Sequence, residues 1–312
     1  MDLLQFQNHV IHAHAQACAA TTGPLTACRL TAAAGDVAAA VSRGHDGTLA
    51  GRPLRLLLQD RLGHLLGATA ALAASVGLNL SDVAAAGLAA LDDFHGPDTD
   101  DVRWSALAAF DAGYPEPERF PRQLTVALRQ HENDRGQHVV TTTLRPNALL
   151  EPAGDQSEQP LGDPLTDNAH QPDGYRFHDA IHLGFLAVLN WSPNLRALLR
   201  RKRKSDPAVD ECEDGARAVF AEEGLAAVLA RLATDHNEFG TYEAVPRDAV
   251  AIARAATVGL EVHIVPGWLW RRAIWQGFAA MRQLTRHSGG TLVADLDART
   301  LTYQKPAVPP VR

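Results

Sequence analysis

Aromatic residues make up only 6% of the 312-residue chain, methionine occurs twice and cysteine three times. Cys18, Cys28 and Cys212 are odd in number and share no metal-binding spacing. That argues against a disulfide framework and a cysteine-based zinc site, and agrees with a reducing, cytoplasmic setting. No apolar run reaches the ~20 residues that cross a bilayer, and the opening MDLLQFQNHVIHAHAQ lacks the basic and long apolar segments of a signal peptide. A glycine-rich phosphate loop and a GxSxG nucleophile motif are also missing. Basic residues are outnumbered, 29 Lys and Arg against 36 Asp and Glu, for a net charge of -7. Such a surface argues against general nucleic-acid binding, leaving room for a local basic patch.

What remains is a chain that is 46% hydrophobic, 21% charged and rich in alanine. This composition forms a packed core and favours close-packed helices. The pattern predicts a mainly α fold: two helical domains with a small antiparallel β element. Residues 1–96 form the first domain, 97–174 a linker with a β-hairpin, and 175–312 the second domain. In the first, helices are expected over Gln5–Ala20, Leu25–Ser42, Pro53–Ser75 and Asp82–Leu91, with Ser81 as cap of the last. A helical turn is expected around Trp104–Phe110. The alternating runs Gln123–Arg129 and His138–Leu144 flank Asn133–Gly136 and read as a hairpin. Pro146–Pro172 reads as loop. Helices follow over Arg176–Leu189, Asn194–Arg203, Pro207–His236, Arg247–Val262 and Gly267–His287. The closing TLVADLDARTLTY supplies two strands to join the hairpin.

The ionisable residues gather in the second domain. In RFHDAIHLGF, His178 and His182 lie one helical turn apart with Asp179 beside them. This spacing suits bidentate binding of a transition metal, and equally suits two half-buried imidazoles. If Pro207–His236 is one helix, Glu211 and Glu222 share a face with Asp214 at its edge. Glu223 then falls in an apolar stripe, and Glu213–Arg217 forms an exposed pair. Two like charges about 4 Å apart repel by roughly 4 kcal/mol at an effective dielectric of ~20. Inward carboxylates therefore call for a cation, a buried arginine or protonation. Arg196 and the run Arg200-Arg201-Lys202-Arg203-Lys204 form the one concentrated positive patch. It is either a phosphate grip or a solvated helix end. Asp163, Asp167, Asn168, His236 and Asn237 are weaker candidates, and the tryptophans read as core.

LTAAAGDVAAA at Leu30–Ala40, DRLGHLLGATAALAA at Asp60–Ala74 and the following SVGLNLSDVAAAGLAAL resemble the MazG family of all-α nucleoside triphosphate pyrophosphohydrolases. That family carries EExxE on one helix and ExxD on the next. Here Ala33 stands at a glutamate position, Asp36 keeps one carboxylate, and Arg61 and His64 stand where ExxD is expected. The resemblance therefore implies a degenerate first site, with Asp36, Arg61 and His64 as a salt-bridged seam in a scaffold or dimerisation surface. Residues 162–303 resemble the domain that closes a subset of MazG-like proteins, through GDPLTDN, DGYRFHDAIHLGFLAVLNWSP, LRALLRRKRKSDPAVDECEDGARAVFAEEG and DLDARTLTY.

Together these likenesses imply a Mg2+- or Mn2+-dependent nucleotide pyrophosphohydrolase, a nucleotide substrate and a homodimer. Glu211, Asp214, Glu222 and Glu223 are then the expected metal ligands. His178, Asp179 and His182 orient water or complete the metal shell, and Arg196, Arg200, Lys202, Arg203 and Lys204 hold the phosphates. Two other readings stand beside it. One is a nucleotide-binding or regulatory protein that has lost catalysis; the other is a histidine/carboxylate metal hydrolase of specialised metabolism.

Overall fold

The computed structural model describes residues 2–17, 23–96, 109–145 and 158–306. It is mainly α with one five-stranded antiparallel sheet, and it divides into two compact units, Met1–Asp92 and Asp93–Arg312. Among the described residues no single helix is long and apolar enough to cross a membrane. The expected turn at Trp104–Ala108 lies outside the described residues.

The first unit contains α1 (Leu3–Ala17), α2 (Gly23–His45), α3 (Gly51–Ser75) and most of α4 (Leu80–His95). Pro53 sits in the first turn of α3, where its missing N–H costs nothing. Ser81 is not the cap of α4. The amide of Leu80 donates to Gln7 Oε1 at 2.8 Å, and that of Ser81 to Asn79 Oδ1 at 2.8 Å. Gln7 also donates to the Leu78 carbonyl at 2.9 Å, so a buried side-chain amide pins α1 to the α3–α4 turn. Among the described residues of this unit the buried apolar side chains are few: Ala40, Ala70, Ala73 and Leu80.

The second unit is built around α5 (Asp179–Leu189), in which every residue from Ala180 to Leu189 is buried. One side of α5 faces the sheet, formed by β1 (Gln123–Glu132), β2 (His138–Arg145), β3 (Gln159–Pro160), β4 (Gly289–Asp295) and β5 (Thr300–Gln304) in the order β3-β2-β1-β4-β5. Phe177, Leu183 and Leu186 pack there with Val126, Leu128 and Leu292. The hairpin turn is closed by Asn133 Oδ1, which accepts from the amides of Arg135 and Gln137 at 3.0 Å each. On the other side Ile181, Phe185 and Val188 meet a helical layer. That layer comprises α6 (Pro193–Leu198), α7 (Pro207–Cys212), α8 (Ala216–Thr234), α9 (Arg247–Ala256) and α10 (Gly267–His287). Phe185, Trp191 and Trp270 interlock at its centre with ring centroids 5.7–6.4 Å apart.

The expected long helix over Pro207–His236 is broken. Asp206 Oδ1 caps α7 by accepting from Ala208 and Val209, and the chain turns at Glu213–Gly215 before α8 begins. A Cβ at Gly215 would lie 1.9 Å from the Glu211 carbonyl oxygen, so only glycine permits this turn. The break turns Asp214 inward and sends Glu213 to the Glu261 amide at 3.0 Å rather than to Arg217. The helix expected to reach Arg203 stops at Leu198, and Arg200 follows with φ 55°.

Helices α5 and α10 cross at Gly184 and Gly277. A Cβ on Gly184 would meet the Ala273 carbonyl at 2.8 Å and Gly277 Cα at 2.9 Å, backbone that cannot swing aside. We expect Gly184→Ala to destabilise the chain by ~1–3 kcal/mol, the usual cost of overpacking. Urea unfolding checks this; an unchanged midpoint would mean the crossing has slack.

Candidate functional site

The first turn of α5 presents two imidazoles on one side. Gly174, at φ 86°, lets the chain enter the 3-10 turn Tyr175–Phe177 that leads into α5. The ring of Tyr175 stacks on that of His178 with centroids 4.3 Å apart and planes 3° off parallel. His178 Nδ1 is 2.9 Å from the Tyr175 carbonyl oxygen. One turn on, His182 Nδ1 is 2.9 Å from Glu222 Oε1. Both Nε2 atoms therefore face Glu223, whose Oε2 lies 3.7 Å from His178 and 3.4 Å from His182. His182 Nε2 is buried and makes no hydrogen bond.

Glu222 has no solvent exposure and is fully engaged. Besides His182, Ser192 Oγ donates to its Oε1 at 2.6 Å and the Asn194 amide to its Oε2 at 2.8 Å. Ser192 is also the cap of α6, accepting from the Leu195 amide at 3.1 Å. Asn194 Nδ2 donates to Glu223 Oε1. Burial alone disfavours a charge on His182, but the carboxylates of Glu222 and Glu223 outweigh it and push its pKa up to about 10. Burial works against the charge of Glu223 as well, and the two histidines overcome this and hold its carboxyl well below the usual range. Burial, then the charge of Glu223, raises the Tyr175 phenol.

His178, His182 and Glu223 thus converge, with one ligand atom from each lying within 4.8 Å of the others. Asp179 does not point at this cluster; its Oδ2 accepts from Thr142 Oγ1 at 2.7 Å, tying α5 to β2. Glu211 is exposed on α7. Asp214, expected as a metal ligand, is buried against arginine: Arg203 donates to it from NH2 at 2.7 Å and from its own amide at 2.7 Å, and Arg196 Nε is 3.4 Å away.

The expected phosphate grip is largely internal for the same reason. Arg196 also pairs with Asp111 at 3.0 Å and Arg203 with Glu261 at 2.8 Å, and both guanidiniums are buried. Burial opposes the charge on Arg203, but Asp214 and Glu261 keep it more firmly protonated than a free arginine. Lys204 pairs with Asp210 at 2.8 Å at the surface, Arg200 is exposed and Lys202 half-buried. Asp167 is held by Arg176 at 2.7 Å, while Asp163 is exposed.

In the first unit Arg61 lies 3.8 Å from both Asp36 and Asp60, and His64 lies 3.8 Å from Asp60. Ala33, Asp36 and His64 line a cleft of about 500 Å3 whose other walls include Phe6, Val10 and Arg29. No second carboxylate joins Asp36 there among the described residues lining it. Among the described residues, the group of three close ligand atoms is the one formed by His178, His182 and Glu223.

The MazG C-terminal domain family matches residues 105–307. No curated protein and no solved structure matches the chain.

If Asp214 neutralises the buried arginines, Asp214→Ala strands them. The expected loss is ~3–5 kcal/mol of unfolding free energy, typical of breaking a buried pair. A loss below about 1 kcal/mol in urea unfolding would place the stabilisation elsewhere.

Proposed function

The chain belongs to the MazG C-terminal domain family, and on that premise we propose that it hydrolyses a nucleotide phosphoanhydride, with the reacting centre at His178, His182 and Glu223 in the second unit. The observation that carries the location is the convergence of these three side chains within the matched region. In the reaction a water oxygen bonds to phosphorus and gives up a proton to solvent, the bridging P–O bond breaks, and pyrophosphate leaves with that bond's electron pair. Glu223 is the member that reaches solvent, its side chain 39% exposed against 8% for His178 and 1% for His182. Substrate therefore approaches at Glu223, beside the Tyr175 ring. What supports the nucleotide class is the family alone; of the basic run, exposed Arg200, half-buried Lys202 and Lys204, which would exchange its Asp210 partner, are the residues proposed to meet phosphate.

The first unit serves as scaffold in this reading. Arg61 beside Asp36 favours that role, because a cation is already placed where a metal would sit. It is also the one observation favouring a chain that binds nucleotide without cleaving it.

A panel of nucleoside triphosphates, with products separated by ion exchange, tests the assignment. His178→Ala and Glu223→Gln should each lower turnover by a hundredfold or more, about 2.7 kcal/mol. Asp36→Ala should leave it within about twofold. A hundredfold loss in Asp36→Ala without unfolding would move the centre to the first unit.

We also propose that the first unit pairs two copies of the chain. Leu56, Leu62, Leu66 and Leu88 are 40–60% exposed there while little else is buried. An unpartnered bundle leaves such apolar surface wet. Light scattering should give twice the mass of one chain, and Leu62→Glu with Leu66→Glu should halve it; a single-chain mass for the parent would reject the pairing.

A further inference from the structure

We infer that His178, His182 and Glu223 form a mononuclear site for a divalent first-row transition ion, of the zinc, cobalt, iron(II) or manganese class, and not for magnesium. A catalytic role for that ion rests on the hydrolase reading above; the binding itself does not.

The distances suit an ion. Ligand atoms about 2.0–2.2 Å from a metal lie ~3.4 Å from one another in a tetrahedral shell. Glu223 Oε2 is 3.4 Å from one Nε2 and 3.7 Å from the other, close to that spacing, and all three ligand atoms lie within 4.8 Å of one another.

The remaining atom of each ligand is already held. His178 Nδ1 lies on the Tyr175 carbonyl, His182 Nδ1 on Glu222, and Glu223 Oε1 takes a hydrogen bond from Asn194. Carbonyl and carboxylate partners behind the imidazoles hold the Nδ1 side of each ring, so an ion taking the place of an Nε2 proton meets rings already oriented, as metal-binding histidines usually are. Glu222 is a positioning residue here: it meets His182 on the Nδ1 side, away from Nε2, and is itself held by Ser192 and the Asn194 amide.

His182 supplies the independent sign. Its Nε2 is sealed from water and makes no hydrogen bond, its nearest partner being the Glu223 carboxylate at 3.4 Å, a costly arrangement for a buried polar atom that a bound ion would relieve. Two imidazoles and one carboxylate match the preference of first-row transition ions, whereas magnesium takes oxygen and sheds water reluctantly. Three protein ligands leave coordination positions open on the side where Glu223 meets solvent. Water or a phosphoryl oxygen can occupy them and be polarised there.

The test uses the full chain, stripped with chelator and titrated with Co2+ and Zn2+ by calorimetry and visible absorbance. One ion per chain is expected, with Co2+ d–d bands and a raised melting temperature. His178→Ala and Glu223→Gln should remove the bands, and millimolar Mg2+ should not. Glu222→Gln should weaken binding by ~10–100-fold while retaining the stoichiometry. Glu223→Gln keeps the side-chain shape at a partly exposed position, so it folds even where the histidine variant does not. Absence of binding, binding unchanged in both ligand variants, or displacement of Co2+ by Mg2+ would each overturn the inference. A chain that binds the ion at these residues yet cleaves no nucleotide keeps the site and sinks the hydrolase reading. One that cleaves nucleotides without binding any such ion does the reverse.

Discussion

A carboxylate with no access to water has to be surrounded by donors, and in this chain Glu222 is that carboxylate. The groups that satisfy it come from two segments, His182 of α5 and Ser192 and Asn194 at the start of α6, while α8 carries it. Removing any one donor leaves a buried acceptor short, at a cost of about 1–3 kcal/mol. The registers of α5, α6 and α8 are therefore set relative to each other by one side chain. Glu223 follows on the same helix, and its position over both imidazoles is inherited from that arrangement.

A second buried centre competes for charge. Arg196 and Arg203 lie among Asp111, Asp214 and Glu261, so the two arginines of the sequence's basic patch with the deepest burial neutralise acids instead of meeting solvent. Taking ions out of water is costly, and only near-complete pairing makes it tolerable. The main-chain amide of Arg203 also binds Asp214, so the network holds the loop between α6 and α7 by backbone as well as by charge. Of the rest of this segment, Arg200 and Lys204 stay exposed.

Much of the architecture was legible in the sequence because it rests on local signals. The hairpin around Asn133, the helix Gly267–His287 and the antiparallel closing strands follow from periodicity and turn chemistry. The break at Glu213–Gly215 was not, since Gly215 only shows its role when the Glu211 carbonyl is seen to occupy the space of a Cβ. Treating α7 and α8 as one helix placed Glu211, Asp214 and Glu222 on a common face; the turn scatters them to surface, arginine network and core. The i,i+4 histidines were visible in the sequence, and Glu223 was singled out among the acids. Asn194, Ser192, Tyr175 and Thr142 were missed, because their contacts depend on tertiary placement. A Ser-Pro-Asn cap ahead of α6 was the one available hint, and it pointed to a helix start, with nothing to show that the same serine serves a buried glutamate.

The crossing of α5 and α10 carries a consequence for how this sequence can change. A side chain on Gly184 would need the space of Gly277 and the Ala273 carbonyl, and one on Gly277 the space of Ile181 and the Ala180 carbonyl, so both act on the same crossing. A methyl on either one pushes the helices apart and removes the reason for the other to be small. Their mutational effects are therefore not additive: the second substitution, made in a background already widened by the first, should cost less than it does alone. Sequence drift here runs through a pair of coupled steps with an unstable intermediate, and His182, two residues before Gly184, and His178, six before it, ride on whichever state the pair adopts.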